Sequence, residues 1–250
     1  MNGTRQHLSF EPSPKRIRAI VGDEAVADSV DAVLLLEKGH MPVYYFPRRD
    51  VRLDLMERTD HATHCPFKGD ASYWNVRIGT KRLENAAWSY ESPTPESDQI
   101  KGHVAFYWDR LDRRFEEDEE VFGHPRDPYH RIDVRPSSRE VKVVFAGQTV
   151  ARTHRALYLF ETGLPTRYYI PPGDVRSEFL VPSQRTSICP YKGTASYWSL
   201  KVDDEAAENA VWAYENPLPE CPRIKGHFCF YPEQVEQISV ARKGLREDIA

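Results

Sequence analysis

Residues 65–74 read CPFKGDASYW, and residues 189–198 read CPYKGTASYW. The offset of 124 residues between these stretches extends without a gap over Ile17–Tyr107 and Val141–Tyr231, with about 35 identical residues in about 91 aligned positions. Agreement at this level over so long a stretch indicates an internal duplication. The chain is therefore predicted to contain two copies of one domain.

A unit of about 95 residues can close its own hydrophobic core, whereas a solenoid needs at least three stacked repeats. We therefore predict two globular domains, at residues 15–108 and 140–235, with tails at 1–14 and 236–250. The segment 109–139 begins with the charge-dense sequence DRLDRRFEEDEE. It is predicted to be a connector, solvated in its acidic half and lying against a domain surface in its proline-containing half.

Short apolar stretches bounded by glycine and proline indicate β-strands in each copy. Examples are IRAIV at 17–21, VLLLE at 33–37 and HVAFYW at 103–108. Only VRLDLMER at 51–58 and VRSEFLVP at 175–182 are compatible with a helical turn. The predicted fold class is all-β, with about six to eight short strands per copy in a curled antiparallel sheet or open barrel and little helix.

Composition limits the classes of partner and the location of the protein. The net charge is −4, from 34 basic and 38 acidic residues that are well mixed, so no cationic face for a nucleic acid is predicted. The longest uninterrupted apolar stretches, such as Ala32–Leu36, are too short to cross a membrane, and the N-terminus lacks the apolar core of a signal peptide. We expect a soluble cytoplasmic protein; homo-oligomerisation stays open.

Neither a metal nor a cofactor is predicted. The four cysteines form no CxxC pair, and His61-x-x-His64 is replaced by Arg185 and Ile188 in the second copy. His124 and His130 in the connector are a weaker, single-copy alternative for a metal site. Neither GxxxxGK nor GxGxxG occurs, which argues against a phosphate cradle. The cysteines are interpreted as reduced thiols.

The repeated Cys-Pro-aromatic-Lys-Gly sequence is the main candidate for a functional site. Proline holds Cys65 extended, and Gly69 permits a turn that brings Lys68 back toward the thiol. A nearby cation favours the thiolate, which is a nucleophile. Cys189 and Lys192 repeat the arrangement. The alternative is a small buried cysteine in a turn that has only a structural role.

His103 and His227 are the only histidines that the two copies share, each 38 residues after the cysteine. They are candidate general bases. The commoner arrangement at the start of a strand is a histidine that hydrogen-bonds to a backbone carbonyl.

Shared carboxylates, guanidinium groups and aromatic rings are the candidate ligand-binding residues. The aromatic residues are expected to be mostly core, with some facing a cavity suited to a small planar or cationic ligand. The two charged types could instead only flank turns. The candidates are Glu37, Tyr45, Arg52, Trp74, Trp88 and Tyr90 in the first copy, and Glu161, Tyr169, Arg176, Trp198, Trp212 and Tyr214 in the second.

Two classes of function follow from these residues. The first is a small-molecule-binding protein, with or without catalysis, that has one pocket per copy. The second is a scaffold or interaction module in which the Cys-Pro-aromatic-Lys-Gly sequence is structural.

The order of motifs resembles the domain of unknown function 427 family in both copies. The motifs are VADS, YYFPRRDV, CPFKGDASYW, NAAWSYESP and IKGHVAFYW in the first copy, with their counterparts in the second. The resemblance implies a β-tent-like fold, similar to methionine sulfoxide reductase B and the ligand-binding domain of cereblon. It suggests either cysteine redox chemistry or ligand capture by an aromatic cage. The paired CxxC motifs of the zinc-bearing relatives are missing here, so no zinc site is carried over.

Overall fold

The computed structural model describes residues 8–241, which divide into two compact units between Asp127 and Pro128. Both units are built from antiparallel sheets, with helix only in short 3-10 turns. The predicted all-β class and tandem organisation are confirmed, and none of the sheets closes into a barrel. Residues 1–7 and 242–250 of the predicted tails lie outside the described part.

The first unit consists of a seven-stranded sheet and a four-stranded sheet. The large sheet has the order β1-β4-β5-β9-β8-β7-β6, and the small one has the order β11-β10-β2-β3. The strands are β1 (Leu8–Pro12), β2 (Ile17–Val21), β3 (Glu24–Ser29), β4 (Val33–Glu37), β5 (Val43–Pro47), β6 (Met56–Cys65), β7 (Gly69–Ile78), β8 (Lys81–Tyr90), β9 (His103–Phe106), β10 (Arg113–Glu116) and β11 (Glu119–Glu120).

The second unit repeats this arrangement at the same offset of 124 residues. Its sheets have the orders β12-β15-β16, β17-β18-β19-β20 and β14-β13-β21, and a bridge between Ile170 and Phe228 joins the first two. The strands are β12 (Ile132–Pro136), β13 (Val141–Phe145), β14 (Gln148–Thr153), β15 (Leu157–Glu161), β16 (Arg167–Tyr169), β17 (Leu180–Cys189), β18 (Gly193–Val202), β19 (Glu205–Ala213), β20 (Cys229–Phe230) and β21 (Gln237–Val240).

Short 3-10 turns fall at equivalent places in the two units. Leu53–Leu55 and Ser177–Phe179 lie within the two segments whose sequences are compatible with a helical turn. The remaining turns are Arg48–Asp50, Pro95–Ile100, Trp108–Arg110, Pro172–Asp174, Pro222–Ile224 and Pro232–Gln234.

The sheets extend beyond the limits predicted for the domains, which raises the number of strands above six to eight per copy. β1 and β21 lie in the predicted tails, while β10, β11 and β12 lie in the predicted connector. Within the charge-dense stretch β10 pairs with β2, and the guanidinium groups of Arg18 on β2 and Arg113 on β10 lie 4.7 and 5.4 Å from the centre of Phe115. Residues 109–127 fall in the first unit and residues 128–139 in the second.

Strand alternation gives the large sheet of the first unit two apolar faces. One face packs on the small sheet through residues such as Phe46, Trp74 and Phe106. The other face carries Leu35, Tyr45, Tyr73, Tyr90 and Ala105. The second face is the one that carries the candidate site.

Candidate functional site

The Cys-Pro-aromatic-Lys-Gly sequence forms the turn of a β-hairpin. β6 ends at Cys65 and β7 begins at Gly69, and the Lys68 amide donates to the Cys65 carbonyl over 3.2 Å. Gly69 has a φ of +94°, and a Cβ there would lie 3.3 Å from the Ser92 carbonyl oxygen. Glycine is therefore required both for the backbone conformation and for the close approach of the following loop.

The loop that follows β8 holds this turn in place. Thr94 donates its hydroxyl to the Phe67 carbonyl over 2.5 Å, and its amide donates to the Lys68 carbonyl over 3.2 Å. In the second unit the Leu218 amide donates to the Lys192 carbonyl over 3.1 Å. The lysine is thus fixed at the end of a rigid turn.

Each turn lysine forms a buried ion pair with the carboxylate that ends a neighbouring strand. Lys68 Nζ lies 2.5 Å from Glu37 Oε2, and Lys192 Nζ lies 2.6 Å from Glu161 Oε1. All four side chains are at most 10% exposed. Because burial removes both charges from water, each group depends strongly on its partner. The lysine ammonium is therefore paired with a carboxylate.

A histidine lies near each glutamate, but it comes from a different part of the chain in each unit. His40, just after β4, places Nε2 4.0 Å from Glu37 Oε1. In the second unit His130, just before β12, places Nε2 3.0 Å from Glu161 Oε1 and stacks on Tyr191 at 4.2 Å. The segment predicted as a connector thus contributes a side chain to the second site.

The ion pair of the first unit lies in the wall of a cavity of about 940 Å³. Cys65, Glu37 and Lys68 all line this cavity. Much of the wall is aromatic and includes Tyr45, Tyr73, Trp88, Tyr90 and Tyr107. The cavity therefore combines a charged end with several ring faces.

Ring packing fixes the geometry of this aromatic wall. The indole nitrogen of Trp88 donates to the Tyr45 hydroxyl over 3.2 Å, and the ring centres of Trp88 and Tyr107 are 4.6 Å apart. Burial raises the pKa of Tyr45 and of Tyr90 well above the usual range, so both stay protonated even at moderately alkaline pH. The tyrosines can therefore donate hydrogen bonds without carrying charge.

Each candidate histidine contacts a backbone carbonyl two residues earlier in the chain. His103 Nδ1 lies 3.0 Å from the Lys101 carbonyl, and His227 Nδ1 lies 3.0 Å from the Lys225 carbonyl. His103 is not among the residues that line the cavity. The structure thus brings together Cys65, Lys68 and Glu37 but does not add His103 to them.

Two further pairs of candidates also lie elsewhere. Arg52 pairs with Asp54 at 2.7 Å, and Arg176 pairs with Glu178 at 2.7 Å, each beside a 3-10 turn. Trp74 packs in the core on the opposite sheet face, and Trp198 packs against the equivalent core of the second unit. The sequence could not separate these residues from the site because they are shared equally by both copies.

The other second-copy candidates form a cluster equivalent to the aromatic wall. Tyr169, Trp212 and Tyr214 pack in one apolar group, and the Trp212 indole donates to the Tyr169 hydroxyl over 3.3 Å. Cys189 packs at the edge of the same group. These positions match Tyr45, Trp88, Tyr90 and Cys65.

The two cysteines specific to the second copy are buried. Burial raises the pKa of Cys221 to about 11 and that of Cys229 to about 12. Ser97 and Ala105 occupy the equivalent positions in the first copy. All four cysteines are free thiols, and only Cys65 and Cys189 lie at the turn.

Several residues at the sites differ from the predicted candidates. Tyr73 and Tyr107 line the cavity and are shared by both copies, so repetition could have identified them. His40 and His124 line it too, but each occurs in one copy only, so repetition gave no signal. The sequence favoured His130 only as a metal ligand; it contacts a glutamate instead.

Metal-ligand clusters and membrane spans are both missing from residues 8–241. Within this range, no group of three or more His, Cys, Asp and Glu side chains is arranged to hold a metal ion. Over the same residues, no helix has the length and apolar character needed to cross a bilayer.

A family comparison agrees with the internal repeat. The family described as domain of unknown function (DUF427) matches residues 9–117 and residues 133–241, two segments that are again offset by 124 residues. No curated protein matches the chain significantly. With both strand-rich units covered by the family model, the chain belongs to the DUF427 family as a tandem pair of its domains.

Proposed function

We propose that the first domain binds a small organic molecule in the cavity beside the Glu37–Lys68 ion pair. The main support for this proposal is the position of the buried ion pair in the wall of an aromatic-lined cavity of about 940 Å³. Ligand pockets of roughly 300–1,000 Å³ with apolar walls and a few fixed polar groups are typical of small-molecule sites.

The ion pair is suited to orienting a ligand. Glu37 ends β4, which pairs with β1, and the backbone of Lys68 is hydrogen-bonded to Cys65 and to Thr94. Their positions are therefore set before a ligand arrives, which lowers the entropy cost of binding. A buried charge pair also discriminates strongly against ligands that leave its polar atoms without partners.

Thiol catalysis receives less support than binding. Activation of Cys65 by the Lys68 ammonium requires a cation that acts on the sulfur, and this ammonium donates to Glu37 instead. A general base was expected from His103, whose ring nitrogen is directed to a backbone carbonyl. Cys65 is proposed as part of the cavity wall.

A reducing, cytoplasmic location is part of the same proposal. All four cysteines are free although two of them lie at the surface turns, which suits a compartment that keeps thiols reduced.

The proposal is tested by screening a library of small polar aromatic compounds by thermal shift on the full chain. A ligand at about 100 times its Kd adds about 2.7 kcal/mol of stability, which is readily detected. Compounds that stabilise the wild type are then titrated against the double variant Glu37→Gln/Lys68→Gln. We expect their affinity to fall at least tenfold.

The matched control is Lys81→Gln/Asp112→Asn, which removes an ion pair of 2.5 Å on the exposed surface of the same domain. Affinity in this control should equal that of the wild type. A library without any stabilising compound, or equal affinity in wild type and the Glu37/Lys68 double variant, would overturn the proposal.

A further inference from the structure

The two domains share a group of three aromatic rings, which we call the ring cage. It consists of Tyr45, Trp88 and Tyr107 in the first domain and of Tyr169, Trp212 and Tyr231 in the second. The Tyr45–Trp88 rings lie 6.3 Å apart at 85°, and the Tyr169–Trp212 rings lie 6.4 Å apart at 85°.

The remaining ring pair of the cage is equally well preserved. The Trp88–Tyr107 centres are 4.6 Å apart at 47°, and the Trp212–Tyr231 centres are 4.4 Å apart at 40°. The indole of each cage donates to the tyrosine hydroxyl at the equivalent position. The three rings of the cage therefore have the same arrangement in both domains.

The cage of the second domain holds a cation supplied by the chain itself. The guanidinium carbon of Arg167 lies 5.5 Å from the centre of Trp212 and 5.9 Å from the centre of Tyr231. Both distances fall within the range of about 6 Å over which a cation is attracted by an aromatic face. Arg167 therefore acts as an internal occupant of the cage.

The first domain has the same cage without this arginine. Position 43, which corresponds to position 167, is a valine, and Val43 lines the cavity together with Tyr45, Trp88 and Tyr107. The shorter side chain leaves room in front of rings that have the same arrangement as those around Arg167.

Another arginine approaches one ring of the first cage from outside the cavity. Arg110 places its guanidinium carbon 4.5 Å from the centre of Tyr107. It donates to the carbonyls of Glu84 and Asn85 and is not part of the cavity lining. Arg110 therefore does not replace Arg167.

The charged groups around the cavity do not oppose a cation. Glu37 and Asp109 contribute two carboxylates to the lining, and Lys68 and Arg114 contribute two cations. Arg114 donates to the Trp108 carbonyl over 2.6 Å, and Lys68 is held by Glu37. With these formal charges balanced, the ring faces are the element that favours a positive group.

We propose that the ring cage of the first domain binds the cationic group of a ligand, an alkylated ammonium or a guanidinium, at the place that Arg167 occupies in the second domain. This inference rests on the proposed small-molecule function and specifies the class of ligand. Val43 and Arg167 are then the positions that decide whether each cage accepts an external cation or holds its own.

The probes are choline and 3,3-dimethylbutan-1-ol, which has the same shape with carbon in place of the charged nitrogen. Binding is followed on the full chain through the indole N–H resonances of Trp88 and Trp212, assigned with single Trp→Phe variants, so each domain reports separately. In wild type, choline should shift the Trp88 resonance, and the neutral alcohol should need at least tenfold higher concentration. The Trp212 resonance should not respond.

Exchanging the two residues should exchange the behaviour of the cages. Arg167→Val should make the Trp212 resonance respond to choline, and Val43→Arg should remove the response of Trp88. The dispersion of the Trp74 indole signal checks that Val43→Arg is folded; if it is not, Arg167→Val alone decides. The inference would be overturned if the first domain bound choline and the neutral alcohol with equal affinity, or if choline did not shift the Trp212 resonance in Arg167→Val.

Failure of this inference is distinguishable from failure of the proposed function. A neutral aromatic compound that shifts Trp88 while choline does not would retain the small-molecule site and reject the cation. Absence of any Trp88 response to either class of compound would reject both.

Discussion

Lys68 and Glu37, 31 residues apart in sequence, form an ion pair of 2.5 Å in which both side chains are less than 10% exposed. The pair links the β6–β7 turn to the end of β4. The second domain repeats it between Lys192 and Glu161 at 2.6 Å. Each pair therefore ties the hairpin that carries the cysteine to the strand beside the cage.

Removing one partner of this pair should destabilise the first domain. Lys68→Met leaves the Glu37 carboxylate buried without its cation, and we expect a loss of about 3 kcal/mol in the free energy of unfolding. Urea titration of the full chain, followed by the Trp88 and Trp212 indole signals, should show an earlier loss of Trp88 and an unchanged midpoint for Trp212.

Lys81→Met is the control, since its pair with Asp112 is exposed to solvent. This change should cost less than about 1 kcal/mol. Equal effects of Lys68→Met and Lys81→Met would mean that the buried pair contributes no more than a surface contact.

The turn glycine should tolerate no side chain. Gly193 has a φ of +100°, and a Cβ there would lie 3.3 Å from the Asn216 carbonyl oxygen. Gly193→Ala is expected to cost about 2 kcal/mol because the strained backbone and the close contact add together. The urea midpoint of the Trp212 signal measures the loss.

Gly173→Ala is the matched control in the same domain. Its Cβ would meet only the end of the Arg155 side chain at 3.7 Å, and the first domain has Arg49 at this position. A change within about 0.5 kcal/mol is expected for this surface position. A loss at Gly173 as large as that at Gly193 would contradict the argument from backbone conformation.

The two buried thiols of the second domain should make the folding stability of this domain fall at alkaline pH. Their pKa values are raised in the folded protein to about 11 for Cys221 and about 12 for Cys229, whereas an unfolded thiol titrates near 9. The unfolded state therefore releases protons first, so the contribution of these thiols to stability is constant well below pH 9 and is lost as the pH rises through 9 toward 11–12. Each thiol should account for about 1 kcal/mol of loss at pH 10.

The variant Cys221→Ser/Cys229→Ala removes this contribution by introducing the residue types that the first domain has at Ser97 and Ala105. Calorimetry at pH 8 and pH 10 should show a smaller fall in Tm for the variant than for wild type. An identical fall in both proteins would show that the thiols do not set the alkaline sensitivity in this window.

The histidine that precedes β12 should hold that segment on the second domain. His130 contacts Glu161 at 3.0 Å and stacks on Tyr191, so His130→Ala should lower stability by about 1 kcal/mol and increase tryptic cleavage after Arg131. His154→Ala, which removes a more exposed contact of 3.2 Å with Glu140, is the control. Cleavage at Arg131 that is unaffected by His130→Ala would contradict this role.

The internal repeat made much of the fold predictable from sequence. Strands such as β2, β4 and β9 follow from short apolar runs that end at glycine or proline. β10 was not predicted because its residues Arg113–Glu116 look solvated in the sequence, and its pairing with β2 is a long-range contact. Pairing of β1 with β4 is likewise a long-range contact.

The site was predictable only in part, because the sequence shows which residues the copies share but not which of them are in contact. Repetition identified Cys65, Lys68 and Glu37 as shared residues, but it could not say that the lysine pairs with the glutamate. It also favoured Arg52 and Trp74, which are shared because they support the fold. The difference between Val43 and Arg167 gave no signal, because repetition points only to residues that the two copies have in common.

Ligand protection of Cys65 shows whether a small molecule occupies the cavity of the first domain. Cys65 lines the cavity of the first domain, and Cys189 at the equivalent turn of the second domain is an internal reference in the same molecule. Rates of alkylation by iodoacetamide at the two sites are measured by mass spectrometry with and without each compound that stabilises the chain. A molecule in the first cavity should slow the reaction at Cys65 at least tenfold and leave Cys189 unchanged, whereas unchanged rates at Cys65 with every stabilising compound would contradict the claim.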